Sequence, residues 1–132
     1  MPAPRMPSLK VFKPREIGPK PWGTELVIAE TKDYLGKVLY MNAGHRGGLQ
    51  YHEKKEETFH LFSGRALVRF DSGNGLVERV MDPGMSYHVP PGAVHQVVAV
   101  TDCVFFEAST PVFNDRVNVA EQYGRTDSGQ SW

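Results

Sequence analysis

Cysteine is nearly absent from this 132-residue chain, and its charges balance. Cys103 is the single cysteine, which excludes an internal disulfide framework and fits a reducing compartment such as the cytoplasm. Fifteen basic and fifteen acidic side chains give a formal net charge of zero, unlike a nucleic-acid-binding surface or a polybasic membrane patch. No apolar run approaches the roughly 18 residues of a membrane span, and no signal-peptide core is present. We expect a small cytoplasmic protein without nucleic-acid or membrane partners.

Helical periodicity is also lacking, and short β-type segments take its place. Runs rich in Val, Phe, Tyr and Leu alternate with turns rich in Gly, Pro, Asn and Asp. These runs are Thr24–Glu30, Lys37–Met41, Thr58–Phe62, Ala66–Asp71, Leu76–Val80, Ser86–Val89, Gln96–Val100 and Val104–Ala108. Many short strands with such turns are typical of an antiparallel sandwich or barrel, so the predicted fold class is all-β.

The two ends of the chain differ in composition from the segment between them. Met1–Lys20 contains five of the ten prolines, which predicts an extended N-terminal arm with Leu9–Phe12 as a short edge strand. Residues 126–132 are polar, and we expect them to form a flexible tail. The length of residues 21–125 suits one domain.

Two segments combine side chains that can bind a metal ion. The first is Gly44-x5-Gln50-x-His52-x4-Glu57-x6-Gly64, and the second is Gly84-x5-Pro90-x-Gly92-x2-His95. Gln50 and His52 are two positions apart, so on an extended strand they lie on the same face. Two imidazoles, a carboxylate and an amide oxygen form a mixed nitrogen and oxygen donor set. Such a set suits Fe, Mn, Co, Ni or Zn better than calcium.

Strand alternation separates the candidate residues that lie near Glu57. Glu57 and Phe59 share one face of a strand, so His60 faces away from a metal that Glu57 binds. Glu107 ends the apolar run Cys103–Glu107, where an inward carboxylate is a candidate general base. A strand-edge salt bridge is the alternative role for Glu107.

The two motifs resemble those of the cupin family. Its first motif is a glycine, His-x-His, a glutamate and a closing glycine, and its second is Gly, Pro-x-Gly and His. Both occur here at the expected spacing within about Pro21–Arg125, although Gln50 replaces the first His and Ala99 replaces a frequent Asn. The resemblance implies a double-stranded β-helix, the jelly-roll barrel of cupins, with one divalent metal bound inside by Gln50, His52, Glu57 and His95. Because cupins commonly dimerise, it also implies a homodimer.

Within the cupins, the chain is similar to the C-terminal domain of type II mannose-6-phosphate isomerases. That domain has Pro-Trp-Gly at its start, Leu-Gln-x-His before its glutamate, and an acidic stretch followed by Tyr-Gly-Arg. The matching residues here are Pro21-Trp22-Gly23, Leu49–His52, Asn114-Asp115 and Tyr123-Gly124-Arg125. The likeness supports Gln50 as a ligand. The chain departs from the isomerases at Glu53-Lys54, where they carry more histidines, and at Asn118, where they usually have an arginine.

The resemblance implies a metal-dependent aldose–ketose isomerase, or another enzyme of sugar phosphates or nucleotide sugars. Its small-molecule substrate would then be a compound such as a phosphorylated sugar. The metal would polarise a carbonyl group while Glu107 or His60 moves a proton between adjacent carbons. The same donor set suits an Fe(II)-dependent dioxygenase. A third hypothesis is a non-catalytic sugar-binding cupin with a structural metal.

Overall fold

The computed structural model describes residues 6–125, which fold almost entirely as β-strands. The strands are β1 Arg15–Lys20, β2 Gly23–Glu30, β3 Leu35–Met41, β4 Gln50–His52, β5 Glu57–Ser63, β6 Ala66–Asp71, β7 Leu76–Met81, β8 Ser86–Val89, β9 His95–Ala99, β10 Cys103–Ser109 and β11 Arg116–Asn118. One 3-10 turn, Ala120–Tyr123, follows β11. The all-β prediction is therefore confirmed. This short turn is the only helical element among residues 6–125. No helix among these residues is long and apolar enough to span a membrane.

The strands form two antiparallel sheets that enclose one core. The first sheet has the order β1-β2-β3-β10-β5-β8, and the second has the order β11-β4-β9-β6-β7. Apolar side chains from both sheets pack together, among them Leu39, Leu61 and Phe105 from the first and Val68 and Val97 from the second. Two such sheets packed face to face give the predicted jelly-roll barrel.

The inner face of the barrel changes from apolar to polar along its strands. On β10 the buried positions are Cys103, Phe105 and Glu107, because successive side chains alternate between the two faces. Phe105 pairs with Leu61 of β5, and Glu107 lies two positions further along the same ladder. Charged and polar side chains therefore collect inside one end of the barrel.

The N-terminal segment differs from its prediction. Leu9–Phe12 has no regular secondary structure, and its side chains are exposed. The strand forms later, at Arg15–Lys20, where Arg15, Glu16 and Ile17 pair with β2. Backbone pairing to an existing strand thus decides the strand position, rather than the apolar content of Leu9–Phe12. The predicted tail at 126–132 lies outside the described residues.

Two three-residue strands that the sequence did not predict position the polar end of the barrel. β4 carries Gln50 and His52, and it pairs with β11 so that Arg116 lies opposite His52. β4 also contacts β9 through the pair Gln50 and His95. These pairings bring three distant segments of the chain to one place.

Candidate metal centre

Three buried side chains point their ligand atoms at one another inside the barrel. His52 lies at the end of β4, Glu57 begins β5 and His95 begins β9. Oε2 of Glu57 is 3.3 Å from Nε2 of His52 and 3.4 Å from Nε2 of His95. Donor atoms that bind one metal at about 2.1 Å lie about 3.0–3.4 Å apart in octahedral or tetrahedral geometry. The spacing therefore fits a divalent transition metal with little rearrangement.

The second ring nitrogen of each histidine faces its own acceptor. Nδ1 of His52 lies 2.9 Å from Oδ1 of Asp115, and Nδ1 of His95 lies 2.9 Å from the carbonyl oxygen of Ala93. With a metal ion bound, each Nδ1 would donate its proton to this acceptor, and each Nε2 would direct its lone pair inward. Acceptors in this position are typical of metal-binding histidines, since they fix the tautomer and the ring orientation.

The electrostatics of the cluster favour a positive charge at its centre. Burial alone would raise the pKa of Glu57, but hydrogen bonds with His52 and His95 and the Lys55 ammonium hold that pKa far below its usual range. Burial alone would lower the pKa of His52, whereas the carboxylates of Glu57 and Asp115 raise it above the usual value. An ionised carboxylate between two inward imidazoles attracts a cation, either a proton or a metal ion.

Gln50 lies beside the three-residue cluster. It is 4% exposed, and it lines the same cavity as His52, Glu57 and His95. On β4 the side chains of Gln50 and His52 are buried while that of Tyr51 between them is partly exposed. The fold thus brings all four sequence-predicted ligands to one cavity, with the histidines and Glu57 at ligand spacing.

A buried lysine links Glu57 to Glu107. Nζ of Lys55 lies 3.2 Å from Oε1 of Glu57 and 3.0 Å from Oε2 of Glu107. The side chain of Lys55 is 8% exposed; burial would lower its pKa, but the two carboxylates outweigh this and raise it. Glu107 also accepts a hydrogen bond from the Ser109 hydroxyl at 2.9 Å. Glu107 is therefore both inward and ion-paired, but its salt bridge lies inside the barrel and not at a strand edge, since β10 is an interior strand of its sheet.

A family comparison identifies the chain. The sequence profile described as a cupin domain matches residues 37–109, which is more than half of the 132 residues. The chain belongs to the cupin family. The matched segment contains Gln50, His52, Glu57, His95 and Glu107, so the four candidate ligands and Glu107 all lie within the matched cupin domain. A search of curated proteins found no sequence match.

Solved structures share the fold of this cupin at low sequence identity. The capsular polysaccharide assembling protein CapF from Staphylococcus aureus aligns with a TM-score of 0.72 and 20% identity over 82% of this chain and 32% of CapF. KdgF from Halomonas sp. aligns with a TM-score of 0.65 and 19% identity over 74% of this chain and 88% of KdgF. A variant of oxalate decarboxylase from Bacillus subtilis aligns with a TM-score of 0.67 and 14% identity over 86% of this chain and 35% of the decarboxylase. The cupin thus spans about a third of the length of CapF.

His60, the other residue predicted for proton transfer, lies on the opposite face of β5 from Glu57. Its Nδ1 is 2.8 Å from the hydroxyl of Ser86, and its ring lies parallel to that of Phe106 with a centroid distance of 6.5 Å. The alternation of β5 turns it out of the barrel. His60 therefore lies on the opposite side of β5 from the candidate ligand Glu57.

Sequence reasoning missed several residues of this site. Lys55 lies in a charged turn that looks solvated in the sequence, yet its ammonium reaches inward between two carboxylates. Asp115 appears in the sequence only as part of an acidic stretch. Glu25, which the sequence analysis did not single out, forms a buried ion pair with Lys37, and both residues line the same cavity. Both residues occupy inward positions on the neighbouring strands β2 and β3, and this strand alternation was the signal that could have identified them.

Proposed function

We propose that this cupin is a metal-dependent enzyme that moves a proton beside a carbonyl group, and specifically an aldose–ketose isomerase. His52, Glu57 and His95, together with Gln50, would hold one divalent transition metal ion. The observation that carries the proposal is the convergence of three buried donor atoms, 3.3 and 3.4 Å apart, next to the Lys55–Glu107 ion pair. The candidate ligands and Glu107 line one cavity, which supports a metal ion acting together with an acid–base group.

The chain's own residues supply the proton-transfer machinery of this reaction. A divalent ion in the centre supplies Lewis-acid polarisation of a substrate carbonyl. The carboxylate of Glu107 lines the cavity. It would take the proton from the hydroxyl-bearing carbon beside the carbonyl and return it to the former carbonyl carbon, while the hydroxyl proton passes to the former carbonyl oxygen. Lys55 holds Glu107 in position and balances its charge, and the Ser109 hydroxyl fixes Oε2.

Relatives of similar fold support a metal and a carbohydrate substrate. Oxalate decarboxylase from Bacillus subtilis has Mn(II) centres, and CapF is a capsular polysaccharide assembling protein. The resemblance of Pro21-Trp22-Gly23 and Leu49–His52 to mannose-6-phosphate isomerases supports the isomerase reaction. We extend the proposal to a sugar or a phosphorylated sugar as substrate.

Metal analysis and deuterium exchange test the proposal together. We expect one transition metal ion per chain by mass spectrometry. Aldoses and ketoses, with and without a terminal phosphate, should isomerise in D2O with deuterium entering carbon, and a chelator should stop the reaction. Glu107→Gln should retain the metal and lose the exchange, while Glu121→Gln at an exposed position should retain both. Bound metal without carbon-bound deuterium in any substrate would contradict the isomerase.

A dioxygenase is the second candidate, because two imidazoles and one carboxylate are the donor set of non-haem Fe(II) oxygenases. Iron-loaded protein that consumes oxygen with a substrate would favour this function. Isomerisation that continues under anaerobic conditions would favour the first. Firmly bound metal without either activity would favour a sugar-binding cupin with a structural metal.

We also propose that the protein is a cytoplasmic homodimer. The outer face of the first sheet exposes Tyr40, Phe62 and Phe106, which are 45%, 60% and 38% exposed. The rings of Phe62 and Phe106 lie 5.3 Å apart, so they form one aromatic patch of the kind that protein interfaces cover. Sedimentation of the wild type and of Phe62→Ser tests this, with a dimer expected only for the wild type.

A further inference from the structure

A second cavity adjoins the metal centre and differs from it in chemistry. A cleft of about 350 Å³ is lined by β7, β8 and the segments next to them. β7 and β8 are the last strands of the second and first sheets, so no hydrogen-bonded neighbour covers this side of either strand in the described sheets. Tyr87 and His95 line both this cleft and the cavity of the metal centre. The cleft and the cavity of the candidate metal centre therefore share part of their walls.

The wall of the cleft is mainly apolar. Its apolar side chains are Val68, Phe70, Met81, Met85, Val89 and Val94. Ligand pockets of roughly 300 Å³ or more with such a lining take up the apolar part of a small molecule. The cleft thus has the size and the surface of a binding site for an apolar group.

Several polar groups along the cleft have partners within the chain, and the exposed Arg79 also lines it. Asp71 accepts a hydrogen bond from the hydroxyl of Tyr123, the Ser86 hydroxyl pairs with His60, and His88 pairs with Glu56. Tyr87 stacks on Phe59 with a centroid distance of 5.1 Å. Burial raises the pKa of Tyr87 well above its usual value, so its hydroxyl stays neutral.

Cations near the metal centre are also neutralised within the chain. Lys37 is ion-paired with Glu25, and Lys55 is ion-paired with Glu57 and Glu107. A phosphate group that entered the cavity would have to compete with these carboxylates.

We infer that the ligand of this cupin carries an apolar group, of the size of a phenyl ring or a branched chain, that occupies the cleft between β7 and β8. Its metal-binding end is a hydroxycarbonyl or a group of similar shape. The inference rests on the proposed metal centre, and it narrows the substrate class to hydroxycarbonyl compounds that carry an apolar substituent.

Two hydroxamates with the same metal-binding head test this inference. Co(II)-loaded protein is titrated with acetohydroxamic acid, which carries a methyl group, and with benzohydroxamic acid, which carries a phenyl ring. The visible spectrum of Co(II) reports binding without any enzymatic activity, and the two affinities for free Co(II) give the reference. Relative to their affinities for free Co(II), we expect benzohydroxamic acid to bind the Co(II)-loaded protein about tenfold tighter than acetohydroxamic acid, because the cleft buries the ring.

Variants of Met85 locate the effect in the cleft. Met85→Trp fills the cleft and should remove the preference for the phenyl ring while retaining Co(II) and acetohydroxamic acid. Val80→Trp is the matched control, since Val80 is 50% exposed and lies on the opposite face of β7 from Met81. If Met85→Trp fails to fold, Met85→Gln serves instead and should reduce the preference by making the wall polar.

Each outcome supports or overturns a distinct claim. A phenyl preference present in the wild type and Val80→Trp, and lost in the Met85 variants, supports the inference. Equal affinities in the wild type, or a preference that a folded Met85→Trp retains, overturn it and leave the metal centre intact. Failure of the wild type to bind one Co(II) per chain overturns the metal centre itself.

Discussion

The carboxylate of Asp115 accepts a hydrogen bond from Nδ1 of His52 at 2.9 Å, although 63 positions separate the two residues. The same carboxylate accepts the backbone N–H groups of Lys54 and Lys55 at 2.8 and 2.9 Å. One side chain thus orients a candidate metal ligand and also holds the turn that carries the buried lysine.

Replacing Asp115 by alanine should weaken metal binding by about 10- to 100-fold, because the ring of His52 loses the acceptor that fixes its orientation. Competition against a chromophoric chelator measures the change. Asp115→Asn keeps a carbonyl oxygen that can accept the same hydrogen bond, so this variant should lose less metal affinity than Asp115→Ala. Equal affinities for wild type and Asp115→Ala would show that the contact does not support the metal.

His52→Ala and His95→Ala should each reduce the metal content steeply while the protein stays folded. Each substitution removes one of the three donor atoms that face the centre. Mass spectrometry of the purified variants gives the metal per chain, and far-UV circular dichroism reports the β fold. His60→Ala is the matched histidine control, and its metal content should equal that of the wild type. A normal metal content in both variants would contradict the assignment of His52 and His95 as metal ligands.

Lys55→Met should lower the free energy of unfolding by about 3 kcal/mol, because it leaves buried carboxylates without their cation. Urea denaturation of the variant measures this loss. Lys54→Met changes an exposed neighbour and should shift the value by less than about 0.5 kcal/mol. The double variant Lys55→Met/Glu107→Gln also removes one of the two carboxylate charges. Its loss of unfolding free energy should therefore be smaller than the sum of the losses in the two single variants. Additive losses would show that the pair is not coupled.

Gly64→Ala should cost about 3 kcal/mol or more in unfolding free energy. Gly64 has φ +94°, and a Cβ there would lie 2.2 Å from the carbonyl oxygen of Asp102. Gly73 has a similar φ of +101°, but nothing lies within 4 Å of its Cβ position. Gly73→Ala should therefore cost only about 1 kcal/mol, from the backbone conformation alone. Thermal or urea unfolding separates the two, and equal costs would contradict the steric argument.

Much of this fold follows from local patterns in the sequence. The eight predicted strands all form, with bounds that shift by one or two residues, because their alternating apolar residues face a shared core. β4 and β11 have three residues each, which is too short for a periodic signal. β1 contains Gly18 and Pro19, which usually mark a turn, and it forms because β2 offers a pairing edge.

The site was predictable where strand alternation or motif spacing applies, and not where distant segments meet. Gln50, His52, Glu57 and His95 follow from spacing, and the inward position of Glu107 is one of two alternatives in the sequence. The burial of Lys55 could not be predicted from the sequence pattern. Its burial depends on two carboxylates that become neighbours only when β5 pairs with β10.

The candidate ligands come from opposite walls of the barrel, since His52 and His95 belong to the second sheet and Glu57 belongs to the first. A divalent ion between them would cross-link the two walls, and the sheets could then separate only after a coordination bond breaks. Amide hydrogens of β4, β5 and β9 would exchange more slowly together in the metal-loaded protein. The supply of metal in the cell would in that way set the lifetime of the folded chain as well as its chemistry.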